Sequence, residues 1–190
     1  MDSSALISHR RPSISTYTAK EFFPLDPDAT SVDPVDIAHA LAMKCRYTGH
    51  CIRFYSVAEH SVHMADWALA EVGPRQAVLA LLHDGAEAYL PDVASPIKSY
   101  IPGFREMEDR VFAAIVVRFG LSVTPEYTDY VKAHDVDMFR VERPCVMVPA
   151  PWWSEHDAPE DMRAGIEIQF WDPERAELEW LRRFVALGLA

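Results

Sequence analysis

Three absences narrow the field before any motif is considered. No apolar run approaches the roughly 20 residues needed to cross a bilayer, so no membrane-spanning helix and no membrane partner is expected. The three cysteines, Cys45, Cys51 and Cys145, contain no C-x-x-C pair. Their odd number and irregular spacing fit neither a disulfide framework nor a zinc pattern, and free thiols in a reducing cytoplasm are the expectation. Positive charge is scarce: 18 Lys and Arg stand against 29 Asp and Glu, a net −11. A non-specific nucleic-acid binder needs a basic face to displace counterions, so that class falls away. A small anionic substrate stays open, because a bound metal and a few local cations reverse the field inside a pocket. Met1 to Arg11 carries Asp2, His9, Arg10 and Arg11 around an apolar stretch too short for a secretory signal. Internal repeats and low-complexity tracts are also absent.

What remains is 190 residues of ordinary globular composition, 49% hydrophobic and 25% charged, enough for one domain over 1–190. The pattern between the proline-rich ends is helical. Ser15 to Phe23 suits a short strand or extended arm. Asp33-Pro34 opens a helix running to about Cys45. Ser56-Val57-Ala58-Glu59 fits a capping box for a helix to about Val72, where Gly73 stops it. Pro74 starts a third helix, expected to reach Tyr89, whose apolar middle belongs inside a bundle. Further helices are expected from Phe104 to Phe119 and from Thr124 to about Glu142, then an irregular segment over 144–165. Asp172-Pro173 begins a last helix with Leu178, Leu181, Phe184 and Leu187 inward. The expected class is all-α, a single-domain helical bundle.

His-Asp occurs three times, at His83-Asp84, His134-Asp135 and His156-Asp157. Only the first lies at the end of the most apolar helix, where an imidazole and a carboxylate need strong partners. A bound cation is one such partner and a satisfied core hydrogen bond the other. Glu87 follows within about 6 Å of axial rise. His60 and Asp135 lie on other expected helices. Imidazoles and carboxylates gathered from separate helices of a bundle suit a divalent metal.

The order His60 … His83-Asp84 … Asp135 resembles the H…HD…D signature of the HD-domain metal-dependent phosphohydrolases. The flanks are Tyr55-Ser-Val-Ala-Glu-His60 and His83-Asp84-Gly-Ala-Glu87, followed by Asp92-Val-Ala-Ser-Pro96-Ile-Lys98. They are similar to the nucleotidase branch, with its HDxxE and D-x-x-x-P-x-K segments. Asp135 and Glu142 resemble the final D-x(6)-E helix, and Cys45-Arg46-Tyr47-Thr-Gly-His50 is similar to bacterial and phage members. The likeness covers about residues 17–143. Alarmone hydrolases carry HDxxED, but Ala88 follows Glu87 here. Cyclic-dinucleotide phosphodiesterases carry HDIGK, and Gly85-Ala86-Glu87 replaces it.

The resemblance implies one divalent ion (Co²⁺, Mn²⁺, Zn²⁺, Fe²⁺ or Ni²⁺, with Mg²⁺ as a further option) on His60, His83, Asp84 and Asp135. Such an ion lowers the pKa of bound water from about 15.7 toward about 7. Glu87 is the candidate for proton transfer, or else a hydrogen-bond partner of a ligand or water. Lys98 and Arg46 are candidates for phosphate oxygens. Arg46, Tyr47 and Asp92 would line the nucleoside side, Asp92 near the sugar hydroxyl; packing is the plain alternative for Tyr47, and a surface salt bridge for Arg46. The implied activity is removal of phosphate from deoxynucleotides, on 5′-monophosphates first. The 22 residues between His60 and His83 keep a triphosphate hydrolase of the dATP type in view. A nucleotide-binding regulatory module without turnover is the rival from another class. A homo-oligomer is implied by family members that assemble. His39, His50 and His63 support the pocket or simply pack, His156 suits a lid, and Trp152-Trp153 suits a core or subunit contact.

Overall fold

The computed structural model describes residues 11–153 and 166–189. Within them the chain is mostly helical, with one minimal antiparallel hairpin, β1 (Ile14–Ser15) and β2 (Glu21–Phe22). Seven α-helices follow among the described residues: α1 (Pro34–Met43), α2 (Val57–Glu71), α3 (Pro74–Leu82), α4 (Ser95–Lys98), α5 (Phe104–Arg118), α6 (Pro125–Val146) and α7 (Pro173–Ala186). None is long and apolar enough to cross a membrane.

Local chemistry sets most helix starts. Proline occupies the first helical turn of α1, α3, α4, α6 and α7, where its missing N–H costs nothing. The side chains of Asp33, Ser56 and Asp172 each accept a backbone N–H and cap α1, α2 and α7. Gly73 separates α2 from α3 at φ +111°, a conformation open to glycine at little cost.

The α2–α3 pair is the centre of the molecule. On one side Ile37, Leu41, Val62, Leu81, Leu82, Ile115, Trp180 and Phe184 join α1, α2, α3, α5 and α7 in one core. On the other, Met64, Ala68, Ala77, Leu79, Ala80, Val131 and Met138 pack α6 against the same pair. Two cores on opposite faces explain why α3 is apolar almost all round.

Four expectations change. The third helix ends at Leu82 rather than Tyr89, and a 3₁₀ turn, Gly85–Ala88, carries the chain on. His83 Nδ1 lies 2.7 Å from the carbonyl oxygen of Ala80 and occupies the end of the ladder. A Cβ on Gly85 would stand 3.1 Å from Ile115 Cδ1, so glycine permits the close approach of this turn to α5. Helix α6 passes Glu142 and includes Pro144, ending two residues later at Val146, so the first residues of the expected irregular segment are helical, while its part over 154–165 lies outside the described residues. In α7 the inward stripe is Ala176, Trp180 and Phe184; Leu181 and Leu187 are half-buried and Leu178, two positions from both Ala176 and Trp180 and so roughly 200° around the axis, is exposed. Glu59 completes no capping box. Its backbone N–H is held by Ser56 Oγ, but its fully buried carboxylate accepts the N–H groups of Gln169, Phe170 and Trp171 at 2.7–3.0 Å.

Candidate metal centre

His60 enters from the first turn of α2, His83 from the end of α3 and Asp135 from the middle of α6. One ligand atom from each lies within 4.8 Å of the others. The two Nε2 atoms are 3.3 Å apart. Asp135 Oδ1 is 3.3 Å from His60 Nε2. Asp84 Oδ2 adjoins the group, 3.2 Å from His83 Nε2 and 3.9 Å from His60 Nε2. The fourth expected ligand is therefore at the cluster's edge.

Both rings turn the same nitrogen toward the group. His83 spends Nδ1 on the Ala80 carbonyl, and His60 Nδ1 is 2.6 Å from Glu142 Oε1, so each ring presents Nε2 to the cluster. Two such nitrogens with two carboxylates make a donor set suited to a divalent transition ion, and the residues present fit one. Openness grades across the group: the His60 side chain is fully buried, while that of Asp135 is 45% exposed.

Electrostatics follow from mutual proximity. Burial disfavours charge on His83, but Asp84 and Asp135 outweigh it and raise its pKa to about 9. His60 is also raised, burial and Arg46 being overcome by Glu142 and Asp135. For Asp84, burial is outweighed by His83, His60 and Arg46, which hold it well below the carboxylate range. Asp135 is lowered against its own burial by the same two imidazoles.

Arg46 is the cation beside this group. Its guanidinium is 3.2 Å from Glu142, 3.6 Å from Asp84 and 3.9 Å from Asp135, while its buried Nε has no hydrogen-bond partner among the described residues. This replaces the surface salt bridge considered for Arg46 with a largely buried position at the cluster. Tyr47 donates its hydroxyl to Glu142 Oε2 at 3.0 Å. Both Tyr47 and Thr48 have φ near +55°, an uncommon backbone for residues with a side chain.

Glu87 sits in the 3₁₀ turn after the ligands, with its carboxylate 3.6 Å from Lys98 Nζ. Burial first, then the charges of Asp84 and Asp92, push its pKa up to about 7. Lys44 fixes the turn from below by donating to the carbonyls of Glu87 and Leu90. Lys98 is also 2.7 Å from Glu108, so it bridges two carboxylates. Asp92 is exposed on the following loop.

The remaining histidines lead elsewhere. His63 lies 3.5 Å from Glu59 and packs near Trp171. His39 stacks on Tyr17 and meets Glu177 at 2.8 Å. His134 joins Glu71 and Tyr130. His50 is exposed. Trp152 is 80% exposed, which removes it from this chain's core. His156-Asp157 and the lid reading lie outside the described residues. A wider groove of about 770 Å³, lined by Arg11, Asp26 and Arg110 among others, shares no residue with the cluster. Convergent chemistry, rather than concavity, locates the site.

Glu142, met in the sequence as the end of the D-x(6)-E pattern, and Glu59, met there as a capping residue, have partners that residue spacing did not reveal. Glu142 had a signal, since it lies two helical turns from Asp135 on the same face. Glu59 had none, because its partners are about 110 residues away in sequence.

Fold and site together define a helical protein with a buried histidine–carboxylate group able to hold a metal ion. It is 34% identical over 131 residues to the uncharacterized protein YfdR of Escherichia coli (strain K12), covering 68% of this chain and 70% of that one, and it belongs to the same family. It is 42% identical over 103 residues to the uncharacterized protein RCAP_rcc00048 of Rhodobacter capsulatus, about half of each chain. No protein-family model matches it.

Proposed function

We propose that this protein is a metal-dependent phosphohydrolase of the HD-domain type that removes phosphate from deoxynucleotides, 5′-monophosphates first. One observation carries the reading: His60, His83 and Asp135, from three different helices or helix ends, bring their ligand atoms within 4.8 Å of one another, with Asp84 beside them. These are the positions of the H…HD…D order in the sequence.

A divalent ion bound there supplies Lewis acidity toward water and phosphoryl oxygens. The chain's own groups do the rest. Arg46 offers a fixed positive fork beside the cluster, suited to anionic oxygens. Glu87, with a pKa near 7, is poised to take or give a proton at neutral pH. Lys98 holds the Glu87 carboxylate in place. Asp135, the most open ligand, marks the side from which substrate reaches the group.

The test is phosphate release from the four dNMPs and four dNTPs by protein stripped of metal and reloaded with Mn²⁺, Co²⁺, Zn²⁺ or Mg²⁺. Metal-dependent release of orthophosphate from dNMPs is expected. Turnover of dNTPs alone would move the substrate class to triphosphates. No release from any of the eight with any of the ions would refute hydrolysis.

A further inference from the structure

Glu142 is fully buried, and three hydrogen-bonding groups and one guanidinium converge on its two oxygens. On Oε1 fall His60 Nδ1 and the Tyr55 hydroxyl, both at 2.6 Å. On Oε2 fall the Tyr47 hydroxyl at 3.0 Å and an Arg46 guanidinium nitrogen at 3.2 Å. Oε1 thus meets a proposed metal ligand, His60, and Oε2 the segment proposed to meet substrate. One carboxylate therefore touches both.

We propose that Glu142 is a positioning residue with two tasks: Oε1 keeps the His60 proton on Nδ1, leaving Nε2 bare for a cation, and Oε2 holds Arg46 and Tyr47 beside the same cluster. The proposal rests on the metal-centre reading above. An imidazole has two tautomers, and the acceptor facing one nitrogen decides which proton stays. A carboxylate offers acceptors on both sides and donates nothing when ionised. A glutamine of the same shape does not. With its oxygen toward His60, its NH₂ faces the Arg46 guanidinium, donor against donor. With the amide turned, the NH₂ faces His60 Nδ1, which must then accept, and the proton moves to Nε2, where it blocks the ligand position. Either arrangement loses one of the two tasks.

The strain in the Arg46 segment fits this role. Tyr47 and Thr48 both sit in the left-handed region, and a firm anchor is needed to hold that backbone. The Tyr47–Glu142 hydrogen bond, with the Phe139 ring 6.0 Å from the tyrosine ring, is such an anchor.

The experiment pairs Co²⁺ titration, followed by its visible absorption, with ¹⁵N NMR of the imidazoles and the Arg46 guanidinium in metal-free, full-length protein above the imidazole titration. For Glu142→Gln, Co²⁺ affinity falls about 10- to 100-fold if the tautomer is released. Wild-type His60 shows its proton on Nδ1, and the variant shows that proton lost or moved, or else the Arg46 guanidinium resonances shifted. A merely structural Glu142 lowers stability but moves none of these, so folded Glu142→Gln with Co²⁺ affinity within twofold of wild type, the proton still on Nδ1 and the Arg46 guanidinium ¹⁵N resonances unmoved overturns the proposal. Failure of the wild type to bind Co²⁺ refutes the metal centre instead, and the NMR arm then judges Glu142 alone: a wild-type proton on Nε2 overturns it. If Glu142→Gln does not fold, Tyr55→Phe removes one donor from Oε1. A shifted His60 Nδ1–H resonance is expected, and an unmoved one overturns the proposal.

Discussion

Asp84 shows how much one side chain can be asked to do. Its carboxylate faces His83 at 3.2 Å, His60 at 3.9 Å and Arg46 at 3.6 Å. Asp84→Ala is expected to lower bound metal sharply while the helices persist, as metal analysis and circular dichroism of the purified variant would show. Asp137→Ala is the control. It lies two positions beyond Asp135 on α6, roughly 200° around the axis, and is paired with Arg140 at 2.8 Å. Glu87→Gln tests a different role: metal content is unchanged, and the rate falls by about 10²- to 10⁴-fold, the usual share of general acid–base catalysis. Loss of metal in that variant would make Glu87 a ligand, and an unchanged rate would leave it structural. For Tyr47, the bond to Glu142 separates ring from hydroxyl. Tyr47→Phe keeps the ring, so competition among deoxynucleotides should distinguish loss of the anchor from loss of ring packing in Tyr47→Ala.

At the scale of elements, the helices whose ends are set by local chemistry were the legible ones. Ser56, Asp172-Pro173 and Gly73 act within a turn of themselves, and α2, α5 and α7 start and stop close to where the sequence places them. The end of α3 depends on contacts across the fold, Gly85 against Ile115 and Lys44 beneath the turn, and no periodicity encodes these. Glu59 is the sharper lesson. Its spacing from Ser56 matches a capping box, yet a buried carboxylate takes the three donors that surround it, and those come from 169–171. That clamp ties the segment before α7 to the helix turn bearing His60. Glu59→Ala leaves three N–H groups without their acceptor and is expected to cost about 3 kcal/mol or more, since hydrogen bonds to charged groups contribute about 1.5–3 kcal/mol each. Chemical denaturation measures it, and a change below about 0.5 kcal/mol would contradict the clamp.

For the whole molecule, the proposed metal ligands also carry strong acid–base shifts. The order of His60, His83, Asp84 and Asp135 was legible because motif spacing survives folding; the pairing of Glu142 with both tyrosines was not, because it needs three elements in place. His83 binds its proton more tightly folded, at about 9, than unfolded, at about 6.5. Its contribution to metal-free stability is therefore complete below about pH 6.5 and lost as pH rises through about 9. Glu87, raised to about 7, acts in the same direction between about 4.5 and 7. Metal reverses the trend, because binding must displace these protons and so strengthens with pH. Thermal melts from pH 6.5 to 9 should thus fall without metal, and the stabilisation added by a fixed free Co²⁺ concentration should grow. Parallel curves would contradict protonated imidazoles in the metal-free site.

Together, His60, His83, Asp84 and Asp135 are proposed to hold the ion that lets phosphate leave. The most direct measurement is orthophosphate release from dNMPs by Mn²⁺- or Co²⁺-loaded wild type and Asp84→Ala, with metal content determined on the same samples. Release that tracks bound metal in the wild type and vanishes with it in Asp84→Ala is the predicted result. Equal release by a folded Asp84→Ala variant, or a metal-loaded wild type that releases none, would contradict it.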